Sequence, residues 1–243
     1  MNKYLVSIFL FLTSCGGGGS KPDFRIAFDP QWSGLEMPER QTALQGFSVE
    51  LIEAIAKEKK FTFKIYDKSW DNLVLGLKNH QYEAILTTIN PYLFYEKIYD
   101  FSDLYLKTGP TLVVPATSTL KSLHDMDGKE VAIQRNSNTA FLLEKHPNII
   151  QRVYDSIPSA LTDVLSGTID GAMVDILTGY AYCNDLYQGQ LKIAFPPLTP
   201  EGIRLVTLHD QAPHLLSAFN EGMKVIKENG TYAKLVKKWN LVE

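Results

Sequence analysis

The sequence predicts an α/β protein of two lobes, each a β-sheet flanked by helices, and three observations carry that expectation. Short runs of strand type alternate with stretches of helical periodicity from Phe24 onward. The alternation lapses near Thr108 and begins again at Leu112, so the same strand–helix plan occurs twice. A chain of 243 residues is long enough for one large domain or two small ones.

The elements follow in order. Phe24-Arg25-Ile26-Ala27-Phe28 alternates as a strand does, and Ser48 to Lys59 carries a helical stripe of Val49, Ile52 and Ala56 widened by Leu51 and Ile55. Phe61 to Ile65 alternates again. Trp70, Leu73, Val74 and Leu77 recur at helical spacing, Ala84-Ile85-Leu86 reads as a buried strand, and Pro91 to Ile98 is expected to be a short helix with its proline early. Strands alternating with helices predict a parallel sheet. In the second half, Leu112 to Val114 and Val131 to Ile133 are strands on either side of the turn at Asp127-Gly128. A helix from about Thr139, an extended Val153-Tyr154, a helix from Ile157 stopped at Gly167, a strand from Gly171 to Val174 and a helix from Ile176 to Asn184 follow. Arg204 to Thr207 is a strand; His214 to Glu228 is a helix closed by Asn229-Gly230, and Thr231 to Trp239 is a further helix. Two such lobes would meet at a cleft, the favoured place for a small molecule.

Residues ahead of Phe24 lie outside this pattern. Lys3, an apolar run from Tyr4 to Leu12 broken by Ser7, and then Leu12-Thr13-Ser14-Cys15 make an export signal too short to span a bilayer. The cysteine behind small residues resembles a lipoprotein box, which implies cleavage before Cys15 and acylation of its sulfur and amine; plain secretion with an incidental cysteine is the alternative. Gly16 to Ser20 is a flexible tether. Gly16-Gly17-Gly18-Gly19-Ser20-Lys21 has no strand before it and Pro22 after it, so it offers no helix N-terminus to a phosphate. Hydrophobic content of 45% and charged content of 21% suit an ordinary core, and a net charge of −3 gives no basic footprint for nucleic acid. With Cys15 acylated, Cys183 is left without a disulfide partner and reads as a buried apolar thiol. The five histidines lack metal-binding spacing, so neither metal nor cofactor is expected.

A collinear set of short motifs adds to this. Gly46-Phe47-Ser48-Val49-Glu50-Leu51, Ser69-Trp70-Asp71, Tyr99-Asp100-Phe101-Ser102-Asp103, Gly128 to Gln134, Asp170 to Asp175, Glu228-Asn229-Gly230-Thr231-Tyr232 and Lys237-Lys238-Trp239 fall in sequence. Together they resemble the polar-amino-acid-type periplasmic solute-binding proteins of ABC importers, over nearly all of Phe24 to Trp239. The resemblance implies two Rossmann-like α/β lobes joined by a two-strand hinge, the type II periplasmic binding-protein or Venus-flytrap fold. It divides the chain into a signal peptide (1–14), a lipid-anchored tether (15–22), lobe one (23–109), lobe two (110–198) and a return to lobe one (199–243), with crossings near Thr108–Thr111 and Leu198–Gly202. The expected role is an extracytoplasmic, lipid-anchored receptor, periplasmic or at the cell surface. It would act as a monomer, capture a small polar solute of amino-acid type and hand it to a membrane permease and ATPase. A fold-related periplasmic dehydratase and a sensory binding subunit are the alternatives.

The same resemblance carries site residues across one by one. Trp32 matches the aromatic that covers the ligand, unless it is a surface loop aromatic, and Trp70 a second apolar wall, unless Trp70 is simply core packing. Thr87-Thr88-Ile89-Asn90 matches the segment that binds the amino-acid head. Asn136-Ser137-Asn138 matches a loop ahead of a helix whose backbone N–H groups favour an anion. Asp175 matches the carboxylate that receives the ligand's ammonium, or else merely caps the following helix. One position departs from the family: Tyr95 stands where an arginine clasps the α-carboxylate. A tyrosine offers one neutral hydrogen bond, not a bidentate charged pair. Either Arg135 substitutes, or it is a solvated surface charge and the ligand lacks a free α-carboxylate.

Overall fold

The computed structural model describes residues 22–29, 38–135 and 137–242. Its first half opens with strand β1 (Phe24–Phe28), helix α1 (Pro38–Lys59), β2 (Phe63–Asp67), α2 (Trp70–Lys78) and β3 (Ala84–Thr87), followed by the short strands β4 (Tyr99–Phe101) and β5 (Leu106–Lys107). The second half holds β6 (Pro110–Pro115), β7 (Glu130–Gln134), α3 (Thr139–Leu143), β8 (Ile150–Tyr154), α4 (Ile157–Ser166), β9 (Gly171–Asp175), α5 (Ile176–Ala181) and β10 (Leu191–Ile193). The chain then returns through β11 (Gly202–Leu208), α6 (Pro213–Glu228) and α7 (Thr231–Lys238).

Two sheets result. One runs β2-β1-β3-β11-β4 with β5 attached to β11, and the other runs β10-β6-β9-β7-β8. The expected parallel pairing holds for β2, β1 and β3 and for β8, β7 and β9. It fails elsewhere. Strand β11 lies antiparallel to β3, β4 and β5, and β6 antiparallel to β9 and β10. The reason lies in the connections: β11 enters its sheet from the other half of the molecule rather than through a helical crossover, and so arrives from the opposite end.

The period-two pattern sends alternate residues to opposite faces. Ile26 and Phe28 of β1 and Ile203 and Leu205 of β11 pack with Leu44, Phe47, Leu51, Leu215 and Phe219 of α1 and α6. Ala27, Ile85 and Val206 face the other way, onto Leu73 and Leu77 of α2. In the second sheet Val113, Ala132 and Ala172 pack on Ile157, Leu161 and Val164 of α4, while Leu112, Val131 and Met173 cover the opposite core. Helix α4 begins with Ser156 Oγ accepting from Ser159 N and ends where Gly167 adopts a left-handed φ of 74°.

Local expectations fail in three places. Pro91 to Ile98 forms consecutive turns, with Tyr95 N donating to Tyr92 O and Ile98 N to Tyr95 O, and no regular helix. The helix expected over Ile176 to Asn184 is α-helical only to Ala181 and then widens into a π turn over Tyr182–Leu186, which turns Tyr182 and Cys183 inward. Helix α1 starts at Pro38 instead of Ser48, so Gly46, a helix-weakening residue, lies inside it.

Gly46 is explained by what lies against it. The Trp239 ring occupies the space that a Cβ at position 46 would fill. Trp239 Nε1 donates to Glu50 Oε2 at 3.2 Å, and Lys238 reaches the same carboxylate. Close by, Tyr232 Oη donates to the Tyr105 carbonyl at 2.6 Å, and Ser48 Oγ bonds Tyr105 Oη at 3.0 Å. The motifs at the two ends of the sequence are therefore one packing corner. Gly46→Ala, which would raise helix propensity on an exposed helix by up to about 1 kcal/mol, is expected instead to destabilise the protein by about 1–3 kcal/mol through overpacking. Chemical denaturation of the two proteins measures the sign directly.

Candidate functional site

The two sheets meet at a cleft of about 370 Å³, within the usual range for a small-molecule site. Its walls come from the carboxyl ends of parallel strands, where open α/β sheets place their ligands. Trp70 opens α2 shortly after β2; Thr88, Ile89 and Asn90 follow β3; Asn138 follows β7; Asp175 ends β9. Tyr92 and Tyr95, Leu44, Thr108, Leu177, Thr178, Glu201 and Ile203 complete the lining.

Most of the residues expected at the site thus come together. Trp70 is 42% exposed, so it forms a wall of the cleft and is not buried in the core. Asp175 stands at the N-cap position of α5, but its side chain makes no capping hydrogen bond, which removes the capping role as its explanation. Asn90 Oδ1 is buried without a hydrogen-bond partner and calls for a donor. Tyr95 lies in the cleft wall in an aromatic group, its ring centroid 4.2 Å from that of Phe94, which in turn is 5.9 Å from Tyr92.

Three expected residues fall elsewhere. Thr87 is buried behind the lining, where its Oγ1 accepts from Ile89 N at 3.3 Å and shapes the Thr87–Asn90 turn. Ser137 does not line the cleft; its hydroxyl bonds Thr139 Oγ1. Arg135 also lies outside the lining, exposed and paired with Asp155 at 2.5 Å, in keeping with a solvated surface charge. Helix α3, beyond this loop, has only five residues and so carries little dipole for an anion. Trp32 and Asn136 lie outside the described residues, as do Cys15 and the whole N-terminal segment.

Of the lining residues that sequence reasoning missed, Glu201 is the charged one. It sits in the return crossing, where its backbone carbonyl accepts from Thr108 N at 3.0 Å, and it shares the cleft with Asp175. No motif surrounds it, because its position depends on the two crossings lying side by side. Thr178 was closer to legible, being one helical turn beyond Asp175 on α5. Among the described residues, no side chain hydrogen-bonds or ion-pairs with either carboxylate. Asp175 faces the open cleft, but protein atoms crowd it on most sides. That burial, with the charge of Glu201 added, pushes its carboxyl up to about 6.

Two further groups carry side chains of reactive or metal-binding type. Cys183 is a free, buried thiol that burial pushes up to about 11, so it is unreactive at neutral pH. Asp100, His209 and Asp210 cluster on the surface, but Asp100 already accepts from His209 Nδ1 at 2.8 Å and from Asp210 N at 2.7 Å, which ties down the loop after β11. No described helix is long and apolar enough to cross a membrane.

Residues 24–242 match the model of the bacterial extracellular solute-binding proteins, family 3. Among curated relatives, the arginine-binding extracellular protein ArtP of Bacillus subtilis is 26% identical over 258 residues, covering 98% of both chains. The glutamine-binding protein GlnH of an ABC transporter in the same organism is 27% identical over 266 residues, covering 97% of this chain and 94% of its own. The L-cystine-binding protein TcyA, also of B. subtilis, is 26% identical over 264 residues, covering 98% and 97%. Among solved structures, the L-cystine solute receptor of Neisseria gonorrhoeae superposes with a TM-score of 0.75 at 18% identity, over 89% of this chain and 92% of that one. The second substrate-binding domain of Lactococcus lactis GlnP gives 0.72 at 19%, over 91% and 96%.

Two sheets, a cleft between them and a family match over residues 24–242 define an extracellular receptor of small solutes. The chain belongs to the bacterial extracellular solute-binding proteins, family 3. The dehydratase alternative finds no support, since the relatives are named as binding proteins.

The raised carboxyl of Asp175 has a measurable consequence. The folded protein holds this proton more tightly than the unfolded chain, so the contribution of Asp175 favours folding most at low pH and is lost as pH rises from about 4 to about 6. The ligand-free Asp175→Asn variant is expected to show a flatter pH dependence of thermal unfolding, and at pH 7 a higher Tm, the gain being reduced by the solvent screening of a side chain that faces the open cleft. Scanning calorimetry between pH 4 and 8 tests both.

Proposed function

We propose that this protein is the extracytoplasmic receptor of an ABC importer and captures a small polar solute of amino-acid type by closing its two lobes around it. The observation that carries this reading is that a single cleft takes Trp70, Thr88, Asn90 and Tyr95 from one lobe and Asn138 and Asp175 from the other. A ligand touching both walls stabilises the closed arrangement more than the open one and shifts the population toward it. Relatives named for binding arginine, glutamine and cystine support the amino-acid class. In this reading Asp175 receives an ammonium, the unpartnered Asn90 carboxamide accepts from the solute, and Trp70 with Tyr95 packs its apolar part. Lobe one comprises 23–109 and 199–243, lobe two 110–198, and the chain works as a monomer with a separate permease and ATPase.

The N-terminal segment completes the proposal. Residues 1–14 are a signal peptide, and acylated Cys15 followed by a glycine-rich tether keeps the receptor at the membrane surface.

Three experiments test this. Mass spectrometry of the natively purified protein is expected to find a co-purifying amine-bearing solute. Calorimetry with that solute is expected to give about tenfold or weaker affinity for Asp175→Ala and Asn90→Ala, the loss of a charge-assisted or buried hydrogen bond. Unchanged affinity in both variants would move the site elsewhere. For the anchor, labelled palmitate is expected to enter the wild-type protein and not Cys15→Ala, which should leave the membrane fraction; equal labelling of both would refute it.

A further inference from the structure

We infer that the solute is a donor-rich dication without a free carboxylate, of the class formed by amides or decarboxylated forms of basic amino acids, with one cationic centre at Asp175 and the other at Glu201. This rests on the receptor reading above and narrows its substrate class.

The charge inventory of the cleft carries the inference. Asp175 and Glu201 are the only charged residues of the described lining, which contains no lysine, arginine or histidine. The two internal segments outside the described residues, 30–37 and 136, add no basic residue either, since they read Pro-Gln-Trp-Ser-Gly-Leu-Glu-Met and Asn. Of the cations close in sequence to cleft residues, Lys68 and Lys97, two positions from Trp70 and Tyr95, lie outside the described lining, and three arginines are bonded elsewhere. Arg40 Nε donates to Asp185 Oδ2 at 2.8 Å and Nη1 to the Asn240 carbonyl at 2.5 Å. Arg135 pairs with Asp155. Arg204, outside the described lining, donates to the carbonyls of Ser102 and Pro200 at 3.4 and 3.3 Å and keeps its Nε buried without a partner. Lys107 lines a separate depression with Tyr105 and Tyr232.

A free α-carboxylate entering such a cleft would lose its hydration, meet two carboxylates and find no described cation. A monocation would satisfy one acid and leave the other uncompensated as the cleft closes. A dication satisfies both. The remaining groups suit the same chemistry: Asn90 Oδ1 is a buried acceptor without a donor, and the faces of Trp70, Tyr92 and Tyr95 accept ammonium or guanidinium groups. The upward push on the Asp175 carboxyl, caused partly by Glu201, is the strain that such a ligand relieves.

The test is calorimetry on the full protein dialysed free of solutes, pairing argininamide with arginine and lysinamide with lysine, with 1,5-diaminopentane and glutamine alongside. Each amide is expected to bind at least about tenfold more tightly than its acid, because the acid adds a like charge to an anionic site. Glu201→Gln is expected to weaken argininamide more than glutamine, and circular dichroism should confirm that the variant is folded. Arginine or glutamine binding as tightly as argininamide, or arginine affinity that collapses on Arg135→Ala, overturns the inference and leaves the receptor reading intact. A protein that binds none of these amides, amines or acids overturns both.

Discussion

The two chain crossings lie side by side, and the working geometry of the molecule depends on this. Thr108 N donates to the Glu201 carbonyl, Leu198 N donates to the Pro110 carbonyl, and Lys107 registers opposite Gly202. Backbone hydrogen bonds between the outgoing and returning segments hold the halves together along one edge. A pair of adjacent crossings leaves the opposite edge free to open, which a single linker or a broad packed interface would not do with the same directionality. The strand ends that carry Thr88, Asn90, Asn138 and Asp175 therefore face one another across a gap.

The same joint sets the electrostatics. Glu201 comes into the cleft because it belongs to a crossing, and it meets Asp175 at the end of β9. In the reading proposed above, a lining with two carboxylates and no described cation selects by charge before it selects by shape. The tyrosine at position 95 fits this balance, since it adds an aromatic face and a hydroxyl without adding a positive charge. Relatives whose names specify arginine, glutamine or cystine share the frame; the polarity of the lining is where family members can differ while the fold stays constant.

Much of this was legible in the sequence because it was written in periodicity. The strands around Ile26, Ile85, Ile133 and Met173 and the helices around Leu73, Leu161 and Phe219 each bury a face whose spacing is visible in the residues. Elements below that threshold were not legible: β4, β5 and β10 span only two or three residues, too few to show a period. The first turns of α1 were hidden by Gly46, a residue that weakens a helix locally and is retained for a contact almost two hundred positions away. The aromatic run at Tyr92, Phe94 and Tyr95 looked helical but builds turns that stack rings beside the cleft. At the site, residues inside recognisable segments were found, whereas Glu201 depends on a tertiary juxtaposition that no local pattern records.

The contact between Trp239 and Gly46 also bears on the order in which the chain folds. The second lobe is contiguous, with all of its strands between Pro110 and Ile193. The first lobe waits for the end of synthesis: its sheet lacks β11 between β3 and β4, and its first helix lacks the indole that fills the notch at position 46, until residue 239 has left the ribosome. The contacts that complete the first sheet and its first helix are thus the last to be synthesised. The half made first therefore completes its native core only when the chain is finished.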